Sequence, residues 1–159
     1  MKTEKPAIDP FSLPGRKGTG YPKVYADRIR DRTKRKLGDA FGLTQFGVNL
    51  TVLPPGEISS QRHWHSSEDE FVYIIEGEAT LITDEGETVM TAGMVAGFPA
   101  GVENGHQLVN NSTGQVVYIE VGTRAASDEG VYPDCDMRAG KKPGEAYVFT
   151  RKDGSPFSD

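Results

Sequence analysis

From Leu43 onward the chain is a succession of short apolar or alternating runs, each closed by glycine, proline or an Asn/Asp turn pair. Residues 44–53 read as a strand that stops at Pro54-Pro55-Gly56. Residues 59–65 read as a second. Side chains on a strand alternate with a period of two, so Gln61, His63 and His65 share one face there. Ser66-Ser67-Glu68-Asp69 is a loop, and the strongly apolar run 70–76 is a third strand. Gly77, Asp84-Glu85-Gly86 and Ala92-Gly93 then punctuate strands at 78–83, 87–91 and 94–98. Further strands are expected at 106–110, 115–122 and 146–150. No segment carries the 3.6-residue period of a helix ten or more residues long. So many short strands with Gly and Pro corners predict an all-β chain, a small barrel or jelly roll.

The first part of the chain is different. Residues 1–20 hold Pro6, Pro10, Pro14, Gly15, Gly18 and Gly20 among few large apolar side chains, and are expected to be extended or poorly ordered. Residues 21–44 are ambiguous by pattern. The expected organisation is an N-terminal extension over 1–38, a barrel core over 39–125 and a C-terminal segment over 126–159 that packs on the barrel. The net charge of −5 hides an asymmetry between these parts. Residues 1–38 hold eleven Lys and Arg against four acids, whereas residues 39–159 hold seven against nineteen. The basic extension is either a nucleic-acid or anion-binding arm or a segment packed on the acidic body of its own or a partner subunit. No aromatic residues interleave the basic run 28–36 and no DNA-binding motif accompanies it, so no nucleic-acid partner is expected.

At 159 residues the chain is one domain by length. A single cysteine, Cys135, excludes an intrachain disulfide, and no apolar stretch approaches the roughly 18 residues of a membrane span. With no apolar segment typical of a signal peptide, a cytoplasmic location and no membrane partner are expected.

The chemistry is carried by the only three histidines, His63, His65 and His106. A His-x-His pair on one strand face, joined by a third imidazole and a carboxylate, is a three-nitrogen, one-oxygen set for a divalent transition metal. Glu70 follows His65 by five residues, with Glu68 and Asp69 beside it.

Two ordered motifs then resemble those of the cupin superfamily, in its small single-domain bacterial form. The first is a glycine, His-x-His, Glu and Gly, filled here by Gly56, His63, His65, Glu70 and Gly77. The second is Gly, Pro-x-Gly, His and Asn, filled by Gly93, Pro99, Gly101, His106 and Asn110. The resemblance covers residues 43–123 and implies a double-stranded β-helix, or jelly-roll barrel, carrying an extended N-terminal arm. The spacing to Gly77 selects Glu70 as the carboxylate ligand and leaves Glu68 and Asp69 as loop acids in solvent. The gap between Gly56 and His63 is one residue longer than the family's, and that between Gly101 and His106 two longer. An insertion of two preserves the in/out alternation, so His106 should still face inward, with an unusual pocket rim beside it.

A His63, His65, Glu70, His106 site implies one divalent metal, Fe, Mn, Ni, Co or Zn, which ligand type alone does not separate. Binding requires neutral imidazoles, so affinity is expected to fall as pH drops through roughly 6. Alternation with the ligands places Gln61, Val72, Ile74, Leu108 and Asn110 toward the pocket and Trp64 away from it. Asn49, Gln45 and Phe98 are further candidates for its lining. The run Tyr132-Pro133-Asp134-Cys135-Asp136-Met137 is either a second metal site or an extended segment packed on the barrel.

The resemblance implies a metal-dependent enzyme acting on a small polar or anionic metabolite, by isomerase, decarboxylase, lyase or dioxygenase chemistry. The label carried by its nearest look-alikes is sugar-phosphate isomerase. The alternative is a non-catalytic module that binds or senses a small molecule through the metal. A homodimer is expected, because an open jelly roll has sheet edges to protect.

Overall fold

The computed structural model describes residues 3 and 6–158. Its strands are β1 (Arg16–Lys17), β2 (Thr33–Lys36), β3 (Phe46–Leu53), β4 (Trp64–His65), β5 (Glu70–Glu76), β6 (Glu78–Thr83) and β7 (Gly86–Thr91). They continue with β8 (Val95–Phe98), β9 (Gln107–Val109), β10 (Val116–Thr123), β11 (Asp128–Val131), β12 (Arg138–Lys141) and β13 (Val148–Thr150). One short α-helix, α1 (Leu37–Phe41), ends at Gly42 in the left-handed conformation. No described helix is long and apolar enough to cross a membrane.

The strands form a six-stranded sheet ordered β1-β2-β3-β10-β5-β8, a four-stranded sheet β13-β12-β11-β4 and a three-stranded sheet β7-β6-β9. All pairings are antiparallel. The resulting all-β jelly roll encloses a core of Leu53, Val72, Ile74, Ala79, Met90, Leu108, Val116 and Tyr118. Burial of these side chains removes apolar area from water at about 25 cal/mol per Å², the main force closing the sheets on one another.

Register decides what the inner face of the large sheet presents, because directly opposed residues share a face. One row runs Lys34, Thr51, Tyr118, Ile74. The next runs Lys36, Asn49, Glu120, Val72. A third brings Gly122, Glu70 and Phe98 together. Polar and cationic side chains thus occupy the β2 end of the first two rows and apolar ones their β5 end, with Glu70 on β5 in the third.

The turn into β6 needs Gly77. Its φ is +83°, and a Cβ there would stand 2.4 Å from the carbonyl oxygen of Gln115.

Several sequence expectations are revised. Within 59–65 only Trp64 and His65 join a ladder, with β11. Ile58 bridges Val109 and His63 bridges His106, so the segment changes sheets as it runs and is a corner rather than one strand. The basic extension is not a loose arm. Its residues form β1 and β2, and β2 pairs with the edge of β3. Lys34 and Lys36 meet Glu120 and Asp39, and Lys17 meets Asp31. The tail also packs, with Tyr132, Cys135, Met137 and Ala139 in a second buried cluster against Tyr21 and Phe149.

Candidate metal centre

His63 and His65 enter from the corner segment, Glu70 from the first residue of β5, and His106 from the residue before β9. The paired backbone of His63 and His106 fixes their approach, each N–H donating to the other's carbonyl at 3.2 and 2.9 Å. The structure brings all four side chains to one point. Glu70 Oε2 lies 2.8 Å from His106 Nε2, 3.6 Å from His63 Nε2 and 3.7 Å from His65 Nε2. With metal–ligand bonds of about 2.1 Å, donors at adjacent coordination positions stand about 3.0–3.4 Å apart. Among the described residues, His63, Glu70 and His106 offer ligand atoms that all lie within 4.8 Å of one another, a group that could hold a metal ion, and His65 falls in a second such group with Glu68 and Asp128.

The opposite ring nitrogens are held by the protein. His63 Nδ1 donates to the Gln61 carbonyl at 2.9 Å, and His65 Nδ1 meets Asp128 Oδ2 at 2.5 Å. These contacts leave each Nε2 lone pair facing the site, the usual way a metal-binding imidazole is oriented. Tyr132 stacks on His63 and Phe98 on His106, fixing both ring planes. His106 Nδ1 is buried without a hydrogen-bond partner.

Electrostatics favour the form a metal requires. Burial pushes His63 down from 6.5 to about 4, against the pull of the Glu70 carboxylate. Its imidazole is therefore neutral over the physiological range. Burial opposes ionisation of Glu70, but the His106 hydrogen bond and the three imidazoles outweigh it and hold the carboxyl far below the usual range. For Asp128 too, burial is outweighed, by hydrogen bonds from Tyr147 and His65, and its pKa is lowered.

The centre opens onto a cavity of about 690 Å³. Val72 and Leu108 line it, as do Asn49 and Phe98. Ile74 and Asn110 are fully buried elsewhere. Ile74 belongs to the core, and the Asn110 amide bonds the carbonyls of Leu53 and Gly114 at 2.8 Å each. Gln61 does not line the cavity either. Its amide reaches Tyr25 and Cys135, because the corner at 59–65 breaks the alternation that would have turned it inward. Gln45 is also outside the lining.

Glu68 is not a solvent acid. Its side chain is only 12% exposed and meets Lys141 at 2.5 Å and the Tyr147 hydroxyl at 3.0 Å. The Tyr147 hydroxyl also lies 2.7 Å from Asp128, with one proton for the two carboxylates, so a continuous chain of polar contacts runs His65, Asp128, Tyr147, Glu68, Lys141. Sequence reasoning missed Asp128, Tyr132, Lys141 and Tyr147. Asp128 and Lys141 lie at the ends of polar strands without apolar alternation, and Tyr132 and Tyr147 lie just outside strands, where no pattern in the chain assigned them a role at the site.

A family model described as a cupin domain matches residues 49–122. A cupin-superfamily protein from Silicibacter pomeroyi, described as a sugar phosphate isomerase, is 43% identical, with a TM-score of 0.87 over 96% of this chain and 97% of its own. A protein from Acidithiobacillus ferrooxidans, described as a candidate sugar phosphate isomerase, is 29% identical, with a TM-score of 0.71 over 81% of each chain. A Thermotoga maritima protein shares the fold at 18% identity, with a TM-score of 0.59 over 75% of this chain and 99% of its own. No curated protein matches the chain significantly.

Proposed function

This chain belongs to the cupin superfamily, and from that premise we propose that it is a metal-dependent isomerase of a small phosphorylated sugar. The observation that carries the reading is the convergence of three Nε2 atoms on the Glu70 carboxylate at one end of a cavity large enough for such a substrate. The likeness to a protein described as a sugar phosphate isomerase, across nearly the whole length of both chains, supports the substrate class.

When bound, a divalent ion would polarise the substrate carbonyl and make the adjacent carbon acidic. His63, His65, Glu70 and His106 would hold it, and Asp128 would keep the His65 ring turned toward it. The interconversion of aldose and ketose then needs one proton moved between neighbouring carbons and the hydroxyl proton moved between the oxygens on those carbons, with no net redox change. Glu68 is placed for this: it lines the cavity, and a carboxylate oxygen lies within 4.8 Å of a His65 ring nitrogen and of Asp128. Its carboxylate takes the proton from one carbon and returns it to the next, while Lys141 and Tyr147 hold it in position.

The test is turnover of a panel of aldose and ketose phosphates by the metal-loaded protein. Isomerisation of at least one is expected, falling about 10²-fold or more in Glu68→Gln with metal content unchanged. Saturable binding without product across the panel would replace the enzyme with a binding module.

We also propose a homodimer. The outer face of β5 and β8 leaves Phe71, Tyr73, Ile75 and Val95 about half exposed in one patch, which a second copy would cover.

A further inference from the structure

The basic N-terminal segment has a place in the cavity that the metal centre does not explain. Lys34 and Lys36 project from β2 onto the inner face of the large sheet, in the rows that end at Ile74 and Val72. Both line the cavity at the metal centre, and so does Arg32. The same three side chains border a second cavity of about 790 Å³, walled by residues 13–20, so they stand between the two spaces.

Charge at this end is not balanced. Lys34 pairs with Glu120, and Lys36 and Arg124 share Asp39. Arg32 makes no ion pair among the described residues. Its guanidinium is held only by the carbonyls of Ser59 and Gly18, and its Nε is buried without a partner. Arg32, Lys34, Lys36 and Arg124 against Glu120 and Asp39 leave two positive charges.

An independent observation points to a missing ligand. Tyr118, in the same row as Lys34, lines the cavity and is only 1% exposed, and its buried hydroxyl has no partner other than the Thr51 hydroxyl. Thr51, its neighbour in that row, is fully buried, and where the two hydroxyls share one hydrogen bond a single O–H proton is left without an acceptor. Buried donors without acceptors are costly and are rarely left so unless something fills the site.

We propose that Arg32, Lys34 and Lys36, with the Tyr118 hydroxyl, form a binding site for a phosphate monoester at the cavity end opposite the metal centre. A dianionic phosphate matches the two uncompensated positive charges and supplies acceptors for the unpaired donors. Assigning it as the remote end of the substrate rests on the isomerase reading above. Distance agrees with that assignment. From β5 to β2 the inner face crosses three strand spacings of about 4.8 Å, and the Lys36 and Lys34 rows lie two and four residues along the strands from the Glu70 row, so the backbone positions are about 16–20 Å apart before the lysine side chains reach inward. A phosphorylated chain of about five or six carbons, extended at about 1.2 Å per bond, covers about 8 Å, and the contacts at its ends supply the rest.

The experiment is calorimetric titration of inorganic phosphate into metal-free protein. Saturable binding is expected, weakened about tenfold or more in Lys34→Gln and in Lys36→Gln. It should tighten in Glu120→Gln, which frees Lys34, whereas mere structural damage would weaken it in all three. His106→Ala should bind phosphate as the wild type does while losing metal, which separates this site from the metal reading. No saturable binding to folded wild type, weakening in Glu120→Gln, or loss in His106→Ala would overturn the assignment. Should Lys34→Gln fail to fold, Lys36→Gln and Glu120→Gln carry the test by their opposite signs.

Discussion

At His63 desolvation and a neighbouring carboxylate pull in opposite directions, and desolvation wins. The imidazole pKa falls to about 4 in the folded chain from 6.5. Between those values the unfolded chain binds the extra proton, so folded stability rises with pH across that window. In metal-free protein this contribution is present above about 6.5 and is lost as pH falls toward about 4. Urea midpoints measured at several pH values should show that slope, and His63→Gln should flatten it. At Asp128, replacement by Asn keeps the shape but gives His65 Nδ1 a weaker partner. Metal affinity, measured by competition with a chelator, is expected to fall about 10–100-fold with the fold intact. The candidate ligands could be read from the chain, since histidine spacing and a motif point at them. Asp128 could not, because it is one acid among many in a segment with no pattern.

Among elements, the strongly periodic ones were legible and the polar ones were not. β5 and β6 lie where apolar alternation and Gly77 placed them. β2 is Thr33-Lys34-Arg35-Lys36, with no apolar residue to signal a strand. It forms because the edge of β3 offers unpaired backbone groups and because Glu120 and Asp39 receive its lysines. β11 and β12 escaped notice for the same reason, and with them the acid behind His65. The corner at 59–65 shows the limit of alternation: it correctly put His63 and His65 together but turned Gln61 the wrong way. The β5–β6 turn gives a test at this scale. Gly77→Ala meets both a positive φ and the Gln115 carbonyl, and should cost more than about 1 kcal/mol in denaturant unfolding.

In the molecule as a whole, the split between a basic beginning and an acidic body becomes a packing relation. The extension adds two strands to the large sheet and sets its cations against the acids of β10 and α1. If the exposed face of β5 and β8 is covered by a second copy, light scattering at micromolar concentration should give twice the 17.3 kDa chain mass, and Tyr73→Glu should return it to one. The sharpest question is whether the four side chains that meet at Glu70 Oε2 grip one ion. Metal content of protein purified without chelators answers it directly, in wild type, His63→Ala and His106→Ala. The expected result is about one transition-metal ion per chain in the wild type and near none in either variant. Equal metal content in all three would contradict it.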